Sequence, residues 1–269
     1  MFSAKKNMIQ EEKLPSLLFF DLETSSGSRS LSTLEEENPR LADLWRQKHQ
    51  KASVGKDGVK WSSMTPEESY IAFSPLSPEF GRIVCASFCY LTTNSKVDNF
   101  EYKGKIKSFY DDQASESSER THVLEPVAKL LSNAGKSAKE SIRLVPSILC
   151  GHNIKKFDIP WLIKRMTMSR ITVPEVLHTW GKKPWEIDVL DTGELWALGA
   201  WDSYASLDLL SASLDIPSPK GEMKGEYVGS TFWLDRDYEK IKKYCEEDTK
   251  CVARICHKLS NSSLALNFE

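Results

Sequence analysis

Large apolar residues run unbroken from Leu17 to Phe20 and stop at Asp21-Leu22-Glu23-Thr24, where two carboxylates stand two positions apart. A run with two aromatics and no alternation predicts a central strand covered on both faces. Because strand side chains alternate, Asp21 and Glu23 share one face at its end. The next segment, Ser25-Ser26-Gly27-Ser28, has a loop composition and leads into the acidic run Glu35-Glu36-Glu37. Leu41, Leu44 and Trp45 then mark one face of a helix over Pro39 to Lys51. Val54 to Lys60 holds two glycines and reads as a turn, whereas Thr65-Pro66-Glu67-Glu68 has the cap, the proline and the acids of a helix start. Ser25 to about Glu79 is therefore expected to be an insertion between two strands, with Trp45 and Trp61 packed against the core rather than flanking a substrate.

β-forming residues return at Arg82 to Leu91 and again at Phe100 to Tyr110, separated by a polar stretch from Thr92 to Lys96, which predicts a hairpin. Asp111 to Arg120 is polar and low in complexity and reads as an exposed loop. Thr121 to Leu131 has helical spacing. Val145 to Cys150 is a short apolar run that ends in Gly151-His152-Asn153, and Phe157 to Met168 follows as an amphipathic helix. That strand, loop and helix order predicts a parallel strand beside the first. A further short strand is expected over Trp185 to Leu190. There Asp191, followed three positions later by Glu194, resembles a capping box, so Asp188 and Asp191 read as structural and are only reserve candidates for the site. Ser203 to Leu214 is a helix, Lys220 to Gly229 a loop, and Asp237 to Leu259 a long helix on which Tyr244 and Asp248 lie one above the other.

With 269 residues, the chain fits one α/β domain, 1–269, carrying the insertion at 25–79. Hydrophobic residues make up 40% and charged residues 28%, as in an ordinary globular protein, so global disorder is excluded. A formal net charge of -2 speaks against a protein that coats nucleic acid electrostatically but allows an enzyme that grips a few phosphates. Six cysteines without a C-x-x-C pair predict buried free thiols and a reducing compartment. Met1 to Pro15 lacks the apolar core of a signal peptide, and no later stretch is long enough to cross a bilayer. A cytoplasmic location and no membrane partner are the expectations.

Two more acids stand at element ends. Asp158 opens the helix after Phe157, where a carboxylate is electrostatically favoured, and Asp248 falls on the apolar face of the last helix. Each has an ordinary structural explanation, as an acid in a first helical turn or as part of the acidic run Glu246-Glu247-Asp248. An acidic doublet such as Asp21 and Glu23 is likewise a common exit from a strand into solvent.

Together, Phe20-Asp21-Leu22-Glu23-Thr24, the tract from Gly151-His152-Asn153-Ile154 to Phe157-Asp158-Ile159-Pro160-Trp161-Leu162, and Tyr244-Cys245-Glu246-Glu247-Asp248 resemble the three motifs of DEDDy 3′–5′ exonucleases. The second resembles the version found in family-B DNA polymerases. Gly181 to Glu186, with Asp191 to Trp196 and Leu207 to Lys220 behind it, is similar to stand-alone bacterial exonucleases related to that polymerase domain, in which a long insertion also follows the first motif.

The resemblance implies a ribonuclease-H-like (DnaQ-like) fold, a central mixed sheet flanked by helices. It implies metal ligands at Asp21, Glu23, Asp158 and Asp248 and places Tyr244 at the attacking water. Four such carboxylates repel one another unless cations neutralise them. Two Mg²⁺ or Mn²⁺ ions about 3.5 to 4 Å apart would do so, generating the nucleophile and stabilising the departing 3′-oxygen. Tyr244, with an unperturbed pKa of about 10, suits orientation of the water rather than removal of its proton. Thr24 and Asn153 resemble positions that frame the terminal nucleotide, and Phe157 either stacks on a base or packs. Lys182 and Lys183 are candidate phosphate contacts, as are Lys155 and Lys156.

The expected partner is nucleic acid with a free 3′ end, DNA before RNA, and the expected product is a nucleoside 5′-monophosphate. An RNA-trimming exonuclease and a catalytically silent nucleic-acid-binding module are the alternatives. The insertion could cover the site, bind an unidentified protein partner or add bulk.

Overall fold

The computed structural model describes residues 7–55, 58–94, 101–115, 117–134, 146–183, 186–200, 203–218, 221 and 223–269. The chain runs from β1 (Leu17–Ser26) through α1 (Leu31–Glu37), α2 (Pro39–Ser53), α3 (Gly58–Ser62) and α4 (Pro66–Phe73) to the antiparallel pair β2 (Gly81–Asn94) and β3 (Glu101–Tyr110). It continues through α5 (Glu125–Leu131), β4 (Ile148–Gly151), α6 (Asp158–Met168), β5 (Val189–Asp191), α7 (Thr192–Ala197), α8 (Leu207–Ser213), the single turn α9 (Val228–Ser230), α10 (Tyr238–Ser260) and β6 (Ala265–Phe268). Among the described residues the strands form one six-stranded mixed sheet in the order β5-β4-β1-β2-β3-β6, flanked by helices.

β1 lies between an antiparallel neighbour, β2, and a parallel one, β4. The pairing with β4 covers only Leu17 to Phe19, whereas β2 follows β1 as far as Ser26. Beyond Phe19, therefore, one edge of β1 has no strand beside it. Alternation sends Leu18, Phe20 and Leu22 into the layer of α5 and α6, against Val127, Ile159 and Leu162. Leu17 and Phe19 point to the opposite layer, against Val252 and Ile255 of α10. Phe20 stacks on Phe88 at 5.6 Å between ring centroids. Burying each such side chain contributes roughly 1.5–3 kcal/mol, so this run anchors both layers.

α10 is held at both ends. Asp237 accepts the Lys240 amide at its start, and Asn261, in the left-handed region, closes it. Its buried positions Ile241, Tyr244, Cys245, Asp248, Val252, Ile255 and Leu259 recur every three or four residues and face the sheet.

The segment between β1 and β2 builds a small core of its own. Trp45 is fully buried, meets the rings of Tyr70 and Phe80 edge-on at 5.4 and 4.9 Å, and donates its indole N–H to the Pro66 carbonyl. Trp61 packs beside it, as expected. Thr65 and Glu68 form a complete capping box at the start of α4.

Several boundaries differ from those expected. Ser25 and Ser26 belong to β1, because β2 pairs with them through Arg82 and Gly81 in spite of their loop composition. The acidic run 35–37 is helical, in α1, whose start is capped by Ser30. Val54 to Lys60 is not a simple turn, since α3 begins at Gly58. The stretch from Asp111 to Arg120 is not simply exposed. Asp111 is buried against Arg82 at 2.5 Å, and Glu119 is buried against Arg165 and accepts the Ile83 amide at 2.8 Å. Charged residues are buried here because each has a specific partner. β6 is an additional strand on the outer edge of β3. The expected strand starts at Phe100, Val145 and Trp185, and the loop start at Lys220, lie outside the described residues. No helix among the described residues is long and apolar enough to cross a membrane.

Candidate functional site

The acids Asp21 and Glu23 lie within β1 and not at its end as expected, in the part of the strand that β2 still pairs but β4 no longer covers. Asp21 and Glu23 point to the α10 side of the sheet, as the odd-numbered positions of β1 do, and a bulge at Glu23/Thr24 alters the pairing with β2 there. From α10 come Tyr244, Cys245 and Asp248, which share one helix face. Asp158 arrives from the first turn of α6, on the other layer, and reaches the uncovered edge of β1. Its Oδ1 accepts the Leu22 amide at 3.1 Å, the backbone donor between the two β1 acids. The missing stretch of β4 pairing leaves this edge open to it.

The loop that presents Asp158 is fixed from behind. The Asp191 carboxylate accepts the amides of Asn153 and Lys155 at 3.0 and 3.2 Å, the Gly193 amide at 3.0 Å, and the Tyr204 hydroxyl at 2.9 Å. Asp191 is therefore a structural acid, as expected, but it braces the acid-bearing loop as well as capping α7. His152 lies between Thr192 Oγ1 at 3.0 Å and the Ala205 carbonyl at 2.9 Å. Gly151 has no room for a side chain, because a Cβ there would sit 2.1 Å from Ile154 and 2.8 Å from the Phe20 carbonyl oxygen. Asn153 follows in the left-handed region at φ 62°.

Electrostatically the cluster is unfavourable to itself. Burial pushes the Asp21 carboxyl well above the usual range, and Asp248, Asp158 and Glu23 push it further. Glu23 is raised by burial first and then by Asp248, Cys85 and Asp158. Asp158 is pushed up to about 7, again mainly by burial, against the lowering effect of its backbone hydrogen bonds. Burial and these same acids raise the Tyr244 phenol far above its ordinary value, so it stays neutral and hydrogen-bonds to Asp248. The charged neighbours acting on Asp21 are all acids, an arrangement that a bound cation relieves.

Hard oxygen donors of this kind suit Mg²⁺ or Mn²⁺. Asp21, Glu23 and Cys245 bring one donor atom each within 4.8 Å of one another. Cys245 is the soft member. Burial and the adjacent Cys85 raise its thiol well above the ordinary value, and it points at the Asp21 carbonyl oxygen at 3.4 Å and at Oδ2 at 3.8 Å. It behaves as a weak hydrogen-bond donor to Asp21.

A groove of about 890 Å³ opens directly beside the acids. Leu22, Glu23, Thr24 and Phe157 form its floor, residues from α3 and α4 through Leu76 one wall, and the stretch 225–230 the other. Thr24 also ties the floor to the wall, donating its hydroxyl to the Pro75 carbonyl at 2.6 Å.

Of the substrate positions expected from sequence, Thr24 and Phe157 line this groove, whereas Asn153, Lys182 and Lys183 do not. Lys182 and Lys183 stand exposed between α6 and β5. Lys155 pairs with Glu194 at 2.7 Å, and Lys156 lies over the Tyr204 ring at 4.7 Å. All six cysteines are buried free thiols. The sequence places Cys245 in the third motif, three positions before Asp248 and on the same helical face, but assigns it no role at the site. The sequence reading missed the groove wall, for which no local pattern exists. Neither a scan against protein-family models nor a search of curated proteins finds a match to the chain.

Proposed function

We propose that the chain is a metal-dependent 3′–5′ exonuclease that releases nucleoside 5′-monophosphates from single-stranded DNA ends. The observation that carries this reading is the convergence of Asp21, Glu23 and Asp158 around the backbone of Leu22, with Tyr244 and Asp248 on the facing helix. Two divalent cations held by the four carboxylates would supply Lewis acidity and charge neutralisation for phosphodiester hydrolysis. Asp21 and Glu23 would hold them from β1, Asp158 from α6 and Asp248 from α10. The neutral Tyr244 hydroxyl, fixed by Asp248, orients the attacking water. The six-stranded mixed sheet with its flanking helices is compatible with a ribonuclease-H-like fold, and a site where β4 leaves one edge of the central strand uncovered agrees with that reading.

Digestion of 5′-labelled single-stranded DNA, beside RNA of the same sequence, tests the proposal. A ladder that shortens from the 3′ end in Mn²⁺ or Mg²⁺, stops with chelator and is lost in Asp158→Ala is the expected result, with DNA cut faster than RNA. Folded wild-type protein that cuts neither strand would overturn it.

A further inference from the structure

The groove beside the acids has a wall that the metal chemistry does not need. Ile71 and Leu76, from the segment between β1 and β2, and Tyr227 on the opposite side are 44%, 64% and 49% exposed. Large apolar side chains left in water around one concave surface mark a binding surface. The groove's volume falls within the roughly 300–1,000 Å³ typical of small-ligand sites. Its floor includes Glu23, so whatever lies in it is continuous with the reacting end.

Its charge narrows the choice of occupant. The lining carries Glu67, Glu68 and Glu226 against Lys60. Glu67 accepts the Leu31 amide at 3.0 Å, Glu68 closes the α4 capping box, and the Lys60 ammonium lies over the Phe73 ring at 4.8 Å. Glu67, Glu68 and Lys60 are thus engaged within the chain, Glu226 stands exposed 3.8 Å from Lys224, and the three acids together outweigh Lys60, so the lining repels phosphate. What the groove offers is apolar and aromatic surface, which suits the π-faces of unpaired bases.

We infer that this groove is a subsite for the bases upstream of the scissile phosphate, with Ile71, Leu76 and Tyr227 determining the preference for unpaired strands. The inference rests on the exonuclease reading and adds the group that is recognised: the bases are gripped, and the phosphates between them face solvent. A duplex cannot present its bases in this way. Affinity for a single strand therefore depends only weakly on salt, in contrast to proteins that grip many phosphates.

Three substrates compared in Mn²⁺ test this: a short single-stranded oligonucleotide, the same strand with abasic residues upstream of the terminal nucleotide, and the p-nitrophenyl ester of thymidine 5′-monophosphate. For wild type, KM is expected to rise about tenfold from the intact to the abasic strand, the size of one lost stacking contact. Leu76→Ala and Tyr227→Ala should each raise KM for the intact strand about tenfold more than they raise it for the ester or the abasic strand. Equal KM for intact and abasic strands, or variants that affect all three substrates alike, would overturn the subsite and leave the exonuclease standing. Failure of wild type to hydrolyse any of the three would overturn both.

Discussion

A carboxyl group buried away from water keeps its proton, and Asp158, raised by burial first and then by Asp191, carries the measurable consequence. Its pKa in the folded chain is about 7, against about 3.9 for an unperturbed aspartate. Between those values the folded chain holds a proton that the unfolded chain has released. The stability that this contributes is complete below about pH 4 and is lost as pH rises through 7. The melting temperature of metal-free protein should therefore fall from pH 5 to pH 8, and Mg²⁺ or Mn²⁺ should raise it more at pH 8 than at pH 5. Equal metal-induced shifts at the two pH values would count against the cluster as a cation site. Tyr244 gives a second prediction. Tyr244→Phe removes the hydroxyl that is hydrogen-bonded to Asp248 while leaving the ring. Turnover should drop by roughly one to two orders of magnitude, as for a lost hydrogen bond to a charged group, with Mn²⁺ affinity nearly unchanged. A tyrosine that only packs would show no such split.

Elements bring these residues together, and they differ in how legible they are in sequence. α10 is fully legible: the three- and four-residue spacing of Ile241, Tyr244, Asp248 and Val252 predicts a buried face, and that face meets β1. β1 is legible as far as Thr24, but its extension through Ser25 and Ser26 depends on pairing with β2, which composition does not reveal. Asp158 is visible at the start of α6, yet its hydrogen bond to Leu22 exists only because β4 stops short. Lys182 and Lys183 show the reverse case, since basic residues near a motif in sequence need not approach the groove in space. Asp191 is the least obvious element-level device. It ties β5, α7 and the loop before α6 through several buried acceptor contacts. Asp191→Ala should destabilise the protein by about 2–4 kcal/mol in urea unfolding, because buried amides lose their partner. It should also weaken Mn²⁺ binding, by releasing Asp158 from its position. Unchanged Mn²⁺ affinity would show that Asp191 serves α7 alone.

At the scale of the molecule, the chain combines a sheet that carries the acids with a helical segment that walls the groove beside them. That segment has a distinct core around Trp45, and its rings pack on Phe80 at the entry to β2. Truncating a buried tryptophan costs about 3–5 kcal/mol. Trp45→Ala should therefore expose residues 31–73 to protease before the sheet yields, and should impair oligonucleotide hydrolysis more than Mn²⁺ binding. Simultaneous loss of both would mean that the two cores fold as one unit. The net charge of -2 fits the proposed division of labour, in which metal ions would meet the reacting phosphate and apolar surface the bases. The most direct test of the account is the number of Mn²⁺ ions bound at pH 8, measured by titration calorimetry on wild type and on Asp21→Asn. Two bound ions in wild type, with at least one lost in the variant, is the predicted result. No binding to folded wild type, or undiminished binding to Asp21→Asn, would contradict the assignment of these carboxylates as a metal centre.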